Sequence, residues 1–156
     1  MPPEGSDWIA VVTAELPLSQ ALSWASRGDC GAVVTFCGTV RDHSEGRPGV
    51  VRLEYEAYEP YATDRLCDIA RCARAQHREI GPIVLLHRTG VLTVGELSVV
   101  VVVAAAHRAD AFSAARFSID AIKATVPMWK YETWSEGSGW ATCSHPIGGV
   151  PGPPDR

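Results

Sequence analysis

Lysine is nearly missing from this chain: of fourteen basic residues only Lys123 and Lys130 are lysine, the other twelve being arginine. Lysine, unlike arginine, can release its proton and act as acid, base or nucleophile. Two ammonium groups retained close together in so arginine-rich a chain therefore mark a place to look for chemistry. A basic surplus is missing too. The net charge of -4 and pI near 5.7 argue against a protein that coats nucleic acid. Any anion site must be a local cluster of cations within a mildly acidic whole. Paired cysteines are absent: Cys30, Cys37, Cys67, Cys72 and Cys143 are odd in number and contain no CxxC. That argues against a zinc site and against a complete disulfide framework. Cys67 and Cys72 point to different faces of a helix, and all five read as reduced, small apolar residues.

Long apolar stretches are also lacking. The longest, Val99 to Ala106, is too short to cross a bilayer and suits a buried strand. Met1 to Asp7 shows no basic start followed by an apolar stretch, so a cytoplasmic location is expected. No Walker loop, GxSxG elbow or HExxH motif occurs, which removes three familiar routes to phosphate, ester and peptide chemistry.

What is present is ordinary for one globular domain: 156 residues, 46% hydrophobic and 21% charged. We expect a flexible start over 1–7, a domain over 8–145, and a disordered Pro/Gly-rich tail over 146–156. Strands are expected over 8–13, 32–40, 51–58, 83–89 and 97–106. Residues 129–133 and 140–142 are expected to pair across a turn at 135–139. In the third of these strands Val51, Leu53, Tyr55 and Ala57 should face inward. Helices are expected from Pro17 to near Gly28, from Pro60 to about Glu79, stopped by Gly81-Pro82, and from Asp110 to Thr125, stopped by Pro127. Their apolar sides carry Leu18, Leu22 and Trp24 or Ala25, then Leu66, Ile69, Ala70 and Ala73, then Phe112, Ala115, Ile119 and Ile122. Asp42 to Gly49 should be an exposed loop, and Gly90 to Glu96 a turn between strands. Elements in this order, without strict alternation, indicate an α+β fold with a mixed or antiparallel sheet rather than a doubly wound one.

Three groups of residues can carry chemistry. His107-Arg108 lies between an apolar strand and a helix, where free N–H groups and the helix dipole collect anions. The alternative is an Arg108–Asp110 pair beside a packed histidine. Lys123 and Lys130 border apolar residues, which favours the neutral amine. Taken singly, each also reads as a snorkelling side chain or a cation at a helix end. Arg41 stands where a strand enters the polar loop and could close over a substrate. His87-Arg88 repeats the histidine–arginine pattern at another strand end and reads as structural.

Taken in order, these residues resemble the large-subunit family of molybdopterin synthase. The resemblance runs through Gly31-Ala32-Val33-Val34-Thr35-Phe36, Gly38, Val40-Arg41, Leu53-Glu54-Tyr55-Glu56 and His87-Arg88 with Gly90, Leu92, Gly95 and Glu96. It is densest from His107-Arg108 through Ala111-Phe112, Asp120, Lys123 and Pro127 to Trp129-Lys130, Glu132 and Trp140. It covers about residues 8 to 142; Met128 departs from it, standing where a larger aromatic is expected. The resemblance implies an α/β-hammerhead-like fold and a homodimer within a heterotetramer. The partner implied is a small ubiquitin-like sulfur carrier whose Gly-Gly tail ends in a thiocarboxylate. Gly148-Gly149 is followed by seven more residues, so the donor tail is expected to come from a separate protein. The implied substrate is cyclic pyranopterin monophosphate (precursor Z), which receives two sulfurs to give molybdopterin, with no metal or cofactor needed. Lys123 and Lys130 match the family's active-site lysines, and Arg41, His107 and Arg108 match its substrate-binding residues. Two rivals remain: a non-catalytic module that binds Gly-Gly tails, and a different phosphate-handling enzyme on the same fold.

Overall fold

The computed structural model describes residues 1–141; the expected disordered tail lies outside them. The elements in chain order are β1 (Asp7–Val12), α1 (Leu18–Ala25), β2 (Ala32–Thr39), β3 (His43–Ser44), β4 (Arg47–Pro48) and β5 (Val50–Ala57). They continue with α2 (Tyr61–Gln76), β6 (Ile80–Arg88), β7 (Gly90–Thr93), β8 (Leu97–Ala105), α3 (Arg108–Thr125), β9 (Met128–Trp134) and β10 (Gly137–Trp140). One sheet runs β1-β6-β8-β2, with β1 parallel to β6 and the other pairs antiparallel. The other runs β10-β9-β5-β7, antiparallel throughout. The α+β reading holds, with one mixed four-stranded sheet, one antiparallel four-stranded sheet and the two-stranded β3-β4 ribbon among the described residues.

The run from Val99 to Ala105 is apolar at every position because its sheet is covered on both faces. Val99, Val101 and Val103 pack toward α2 and α3, against Leu66, Ile69, Ile119 and Ile122. Val100 and Val102 point the other way, toward Trp8, Ala21 and Ala25. A third cluster, Val40, Val50, Leu53, Tyr55 and Leu92, lies on the inner face of the second sheet. No helix among the described residues is long and apolar enough to cross a membrane.

Several expectations are corrected. Gly81-Pro82 does not end α2, which stops at Gln76; both sit inside β6, where the register shifts between Ile80 and Ile83. That irregularity accommodates a proline that has no N–H for the ladder. Gly90–Thr93 is a strand, β7, that crosses to the second sheet and buries Leu92. In β5 a register shift between Val50 and Arg52 reverses the first inward position, so Val50 is buried and Val51 exposed. Leu22 and Phe112, assigned to apolar helix faces, are exposed, and Ala21 and Ala114 are buried in their helices instead. Cys37 is likewise exposed. The 42–49 segment is a small hairpin, with Gly46 taking the positive φ of its turn. The N-terminal stretch is tied at Pro3, whose carbonyl accepts from Trp24 Nε1 at 3.1 Å.

Candidate active site

An open cleft of about 310 Å³ lies between the two sheets. Strand β2 lines it with Phe36 to Thr39, followed by Arg41 and by His43 and Ser44 of the hairpin. Val50, Leu53 and Tyr55 come from β5, Ser98 from β8, Lys123 from α3, and Lys130 and Glu132 from β9. Strand alternation explains the last pair: residues two apart share a face, so Lys130 and Glu132 look inward while Trp129 and Tyr131 do not. The β5–β9 register sets Tyr55 opposite Lys130 and Leu53 opposite Glu132. A cation, an acid and a phenol therefore stand side by side on the inner face.

Lys123 reaches the cleft from the last turn of α3, which the chain leaves at Val126. By surface area the residue is exposed, because its stem opens onto the cleft. Its amine is nonetheless poorly hydrated, and the amine's surroundings decide protonation. Burial first, then the charges of Lys130 and Arg41, hold its pKa below the ordinary lysine value.

Glu132 is 3% exposed. Its Oε2 accepts from Arg47 Nη1 at 2.7 Å and from Ser44 Oγ at 2.9 Å, and Lys130 Nζ stands 3.6 Å from Oε1. Burial pushes this carboxyl up, but the hydrogen bonds from Arg47 and Ser44 and the Lys130 charge outweigh it, leaving the group below the usual range. Tyr55 is raised by burial and stays a protonated phenol. Behind it lies His87, edge to face, with ring centroids 5.4 Å apart. Burial takes His87 down to about 4, against the bond between Nδ1 and the Arg88 carbonyl and with help from the Lys123 charge.

Arg41, Lys123 and Lys130 thus line one cleft. His107 and Arg108 are not among them. His107 occupies the position before α3 without a side-chain capping bond, its ring exposed and Nε2 3.7 Å from Glu79 Oε2, and Arg108 is exposed beside it. Lys123 follows sixteen positions later on the same helix, about 24 Å along the axis at ~1.5 Å per residue. Sequence reasoning gave no role to Tyr55, Ser98, Glu132, Ser44 or Arg47. Glu132 had a signal, an acid two residues after Lys130 on an alternating strand. Arg47 had none, because its partner is 85 positions away.

Such an arrangement defines a small α+β protein with a cationic cleft suited to an anionic substrate and a proton transfer. A family model described as "MoaE protein" matches residues 11–125. The chain is 40% identical over 136 residues to a Nostoc protein named molybdopterin synthase catalytic subunit, covering 87% of this chain and 82% of that one. The crystal structure of molybdopterin synthase from Staphylococcus aureus superposes with a TM-score of 0.80 at 33% identity, covering 85% of this chain and 96% of that chain. A complex of subunits 1 and 2 of molybdopterin-converting factor from Helicobacter pylori shares the fold, with a TM-score of 0.73 at 20% identity, covering 92% of this chain and 95% of that chain. The chain belongs to the MoaE family, the catalytic subunits of molybdopterin synthase.

Proposed function

We propose that this cleft is where sulfur passes from the thiocarboxylated Gly-Gly tail of a small ubiquitin-like subunit to precursor Z, two transfers completing the dithiolene of molybdopterin. The observation that carries this reading is the convergence of Arg41, Lys123 and Lys130 on one cleft in a chain of net charge -4. The acid beside them, Glu132, is already bonded to Arg47. A phosphate and a thiocarboxylate are both anions, and preorganised cations hold them where charge develops. Arg41 and Lys130 bind these groups. Lys123, with its lowered pKa, is the principal acid–base or amine group for opening the cyclic phosphate. Family membership supports sulfur transfer, and the Helicobacter pylori complex supports a separate small partner. The reaction takes place in the cytoplasm.

The place of His107 and Arg108 follows from the length of α3. On one chain they are too far from Lys123 to hold the same substrate. In a homodimer, His107 and Arg108 of a second copy enter this cleft, so each site is completed across the interface of the expected heterotetramer. Mixed dimers test this. Lys123→Ala and Arg108→Ala chains, each strongly impaired alone, should regain activity when co-assembled, because one of the two sites in a mixed dimer is then intact. No recovery from well-formed mixed dimers would place both groups in one copy's site and sink the shared-site reading.

A further inference from the structure

We propose that Arg47 is a positioning residue for the cleft, holding Glu132 so that this carboxylate cannot close on Lys130 and neutralise it. The inference rests on the reading above only in assigning Lys130 to an anionic substrate.

The geometry is a competition for one buried acid. Lys130 Nζ stands 3.6 Å from Glu132 Oε1, beyond the ~2.7–2.9 Å of a charge-assisted hydrogen bond. Arg47 is at full contact on the other oxygen, 2.7 Å from Oε2, and Ser44 Oγ adds a second donor there at 2.9 Å. The guanidinium is fixed in two further ways. Its Nη2 donates to the Trp140 carbonyl at 3.0 Å, and its Cζ lies over the Trp134 ring, 4.5 Å from the centroid. The hairpin that carries it is also fastened: Val50 N donates to the Asp42 carbonyl at 2.7 Å, and Ser135 Oγ donates to the Pro48 carbonyl at 3.0 Å. Glu132 is therefore held by Oε2 and cannot swing Oε1 toward the lysine without breaking bonds to Arg47 and Ser44.

A carboxylate this buried needs a cation. With Arg47 gone, the cation next to it is Lys130. Pairing would hold the ammonium against the carboxylate and cancel charge meant for the substrate. Turnover should then suffer through binding, while the Lys123 chemistry stays in place.

The test uses the full chain with Arg47→Met, which keeps an apolar stem over Trp134, together with Arg47→Lys and Arg47→Met/Glu132→Gln. In the Arg47→Met crystal structure, the Lys130–Glu132 separation should shorten from 3.6 Å to ~2.8 Å. KM for the pterin should rise roughly tenfold with kcat nearly unchanged, the loss of about one charge-assisted contact. Arg47→Lys should restore most of the KM. Removing Arg47 should cost nothing further once Glu132 is Gln, since no acid is left to capture Lys130. A folded Arg47→Met protein with Lys130 still at 3.6 Å or farther, or with kcat lost at constant KM, overturns the proposal. If the unsubstituted chain makes no product, the synthase reading fails, and the Lys130–Glu132 separation still decides this one.

Discussion

Replacing Lys123 with alanine should lower turnover by roughly 10²–10⁴-fold, the range of a positioned acid–base group, while the small partner still binds. Lys123 lies at the cleft and not at an apolar core position, so the fold should survive the change. Lys123→Arg is the sharper variant. It keeps the positive charge, and so much of the anion binding, but a guanidinium does not release its proton. A role in charge alone predicts near-normal turnover for arginine; the role assigned here predicts loss in both variants. The pH profile carries the same information. Burial, Lys130 and Arg41 lower the pKa of Lys123, so the neutral amine becomes available at lower pH than for a free lysine. Activity that depends on that amine rises with pH through the lowered value. Arg41→Met removes one of the three causes and should move this limb toward higher pH. A limb that stays in place in a variant that still turns over would assign it to another group.

Stability should fall steeply in mild acid, by about 2 kcal/mol between pH 7.5 and 5, because of His87. Its pKa is about 4 in the folded chain, against ~6.5 when unfolded. Between these values the unfolded chain binds the proton and the folded chain does not, so protons favour unfolding. The contribution is complete above pH ~6.5 and is lost progressively as pH falls toward 4. The carboxyls of Glu132, Glu96 and Asp42 are lowered in the folded chain. Their own losses therefore fall below the unfolded carboxylate range of ~4, outside this window. Urea midpoints across pH 7.5 to 5 measure the effect. His87→Asn keeps a donor for the Arg88 carbonyl but cannot titrate, and should flatten the curve. An equally steep curve in that variant would show that other groups govern the acid transition.

The contrast between Lys123 and Arg47 shows what a sequence can reveal about this site. Lys123 and Lys130 stand out because lysine is otherwise missing, and one helix end and one alternating strand deliver them to the same cleft. The buried stretch of β8 and the inward face of α2 follow from apolar runs and helical spacing, which depend on neighbours a few residues away. Arg47 and Glu132 meet only through tertiary structure, and a polar, glycine-containing segment gives no local sign that it will be clamped. Strand β7 is four residues long, too short for periodicity to register, and it reads as a turn because Gly90 opens it and Gly95 follows two residues after its end. The exchange of Val50 for Val51 hangs on one bulge, which shifts the inward face by a single residue. The separation of His107 from Lys123 is different in kind. It is readable from helix length alone, and it is the reason the proposed site draws on two copies.

The most direct test of the central claim is conversion of precursor Z by the purified chain and a thiocarboxylated small subunit, followed by formation of the dithiolene product. The account predicts product with the thiocarboxylate, none when the same tail ends in an ordinary carboxylate, and roughly 10²–10⁴-fold slower product formation with Lys123→Ala. A folded chain that binds its partner and yields no dithiolene would contradict the account and leave a module that only captures Gly-Gly tails.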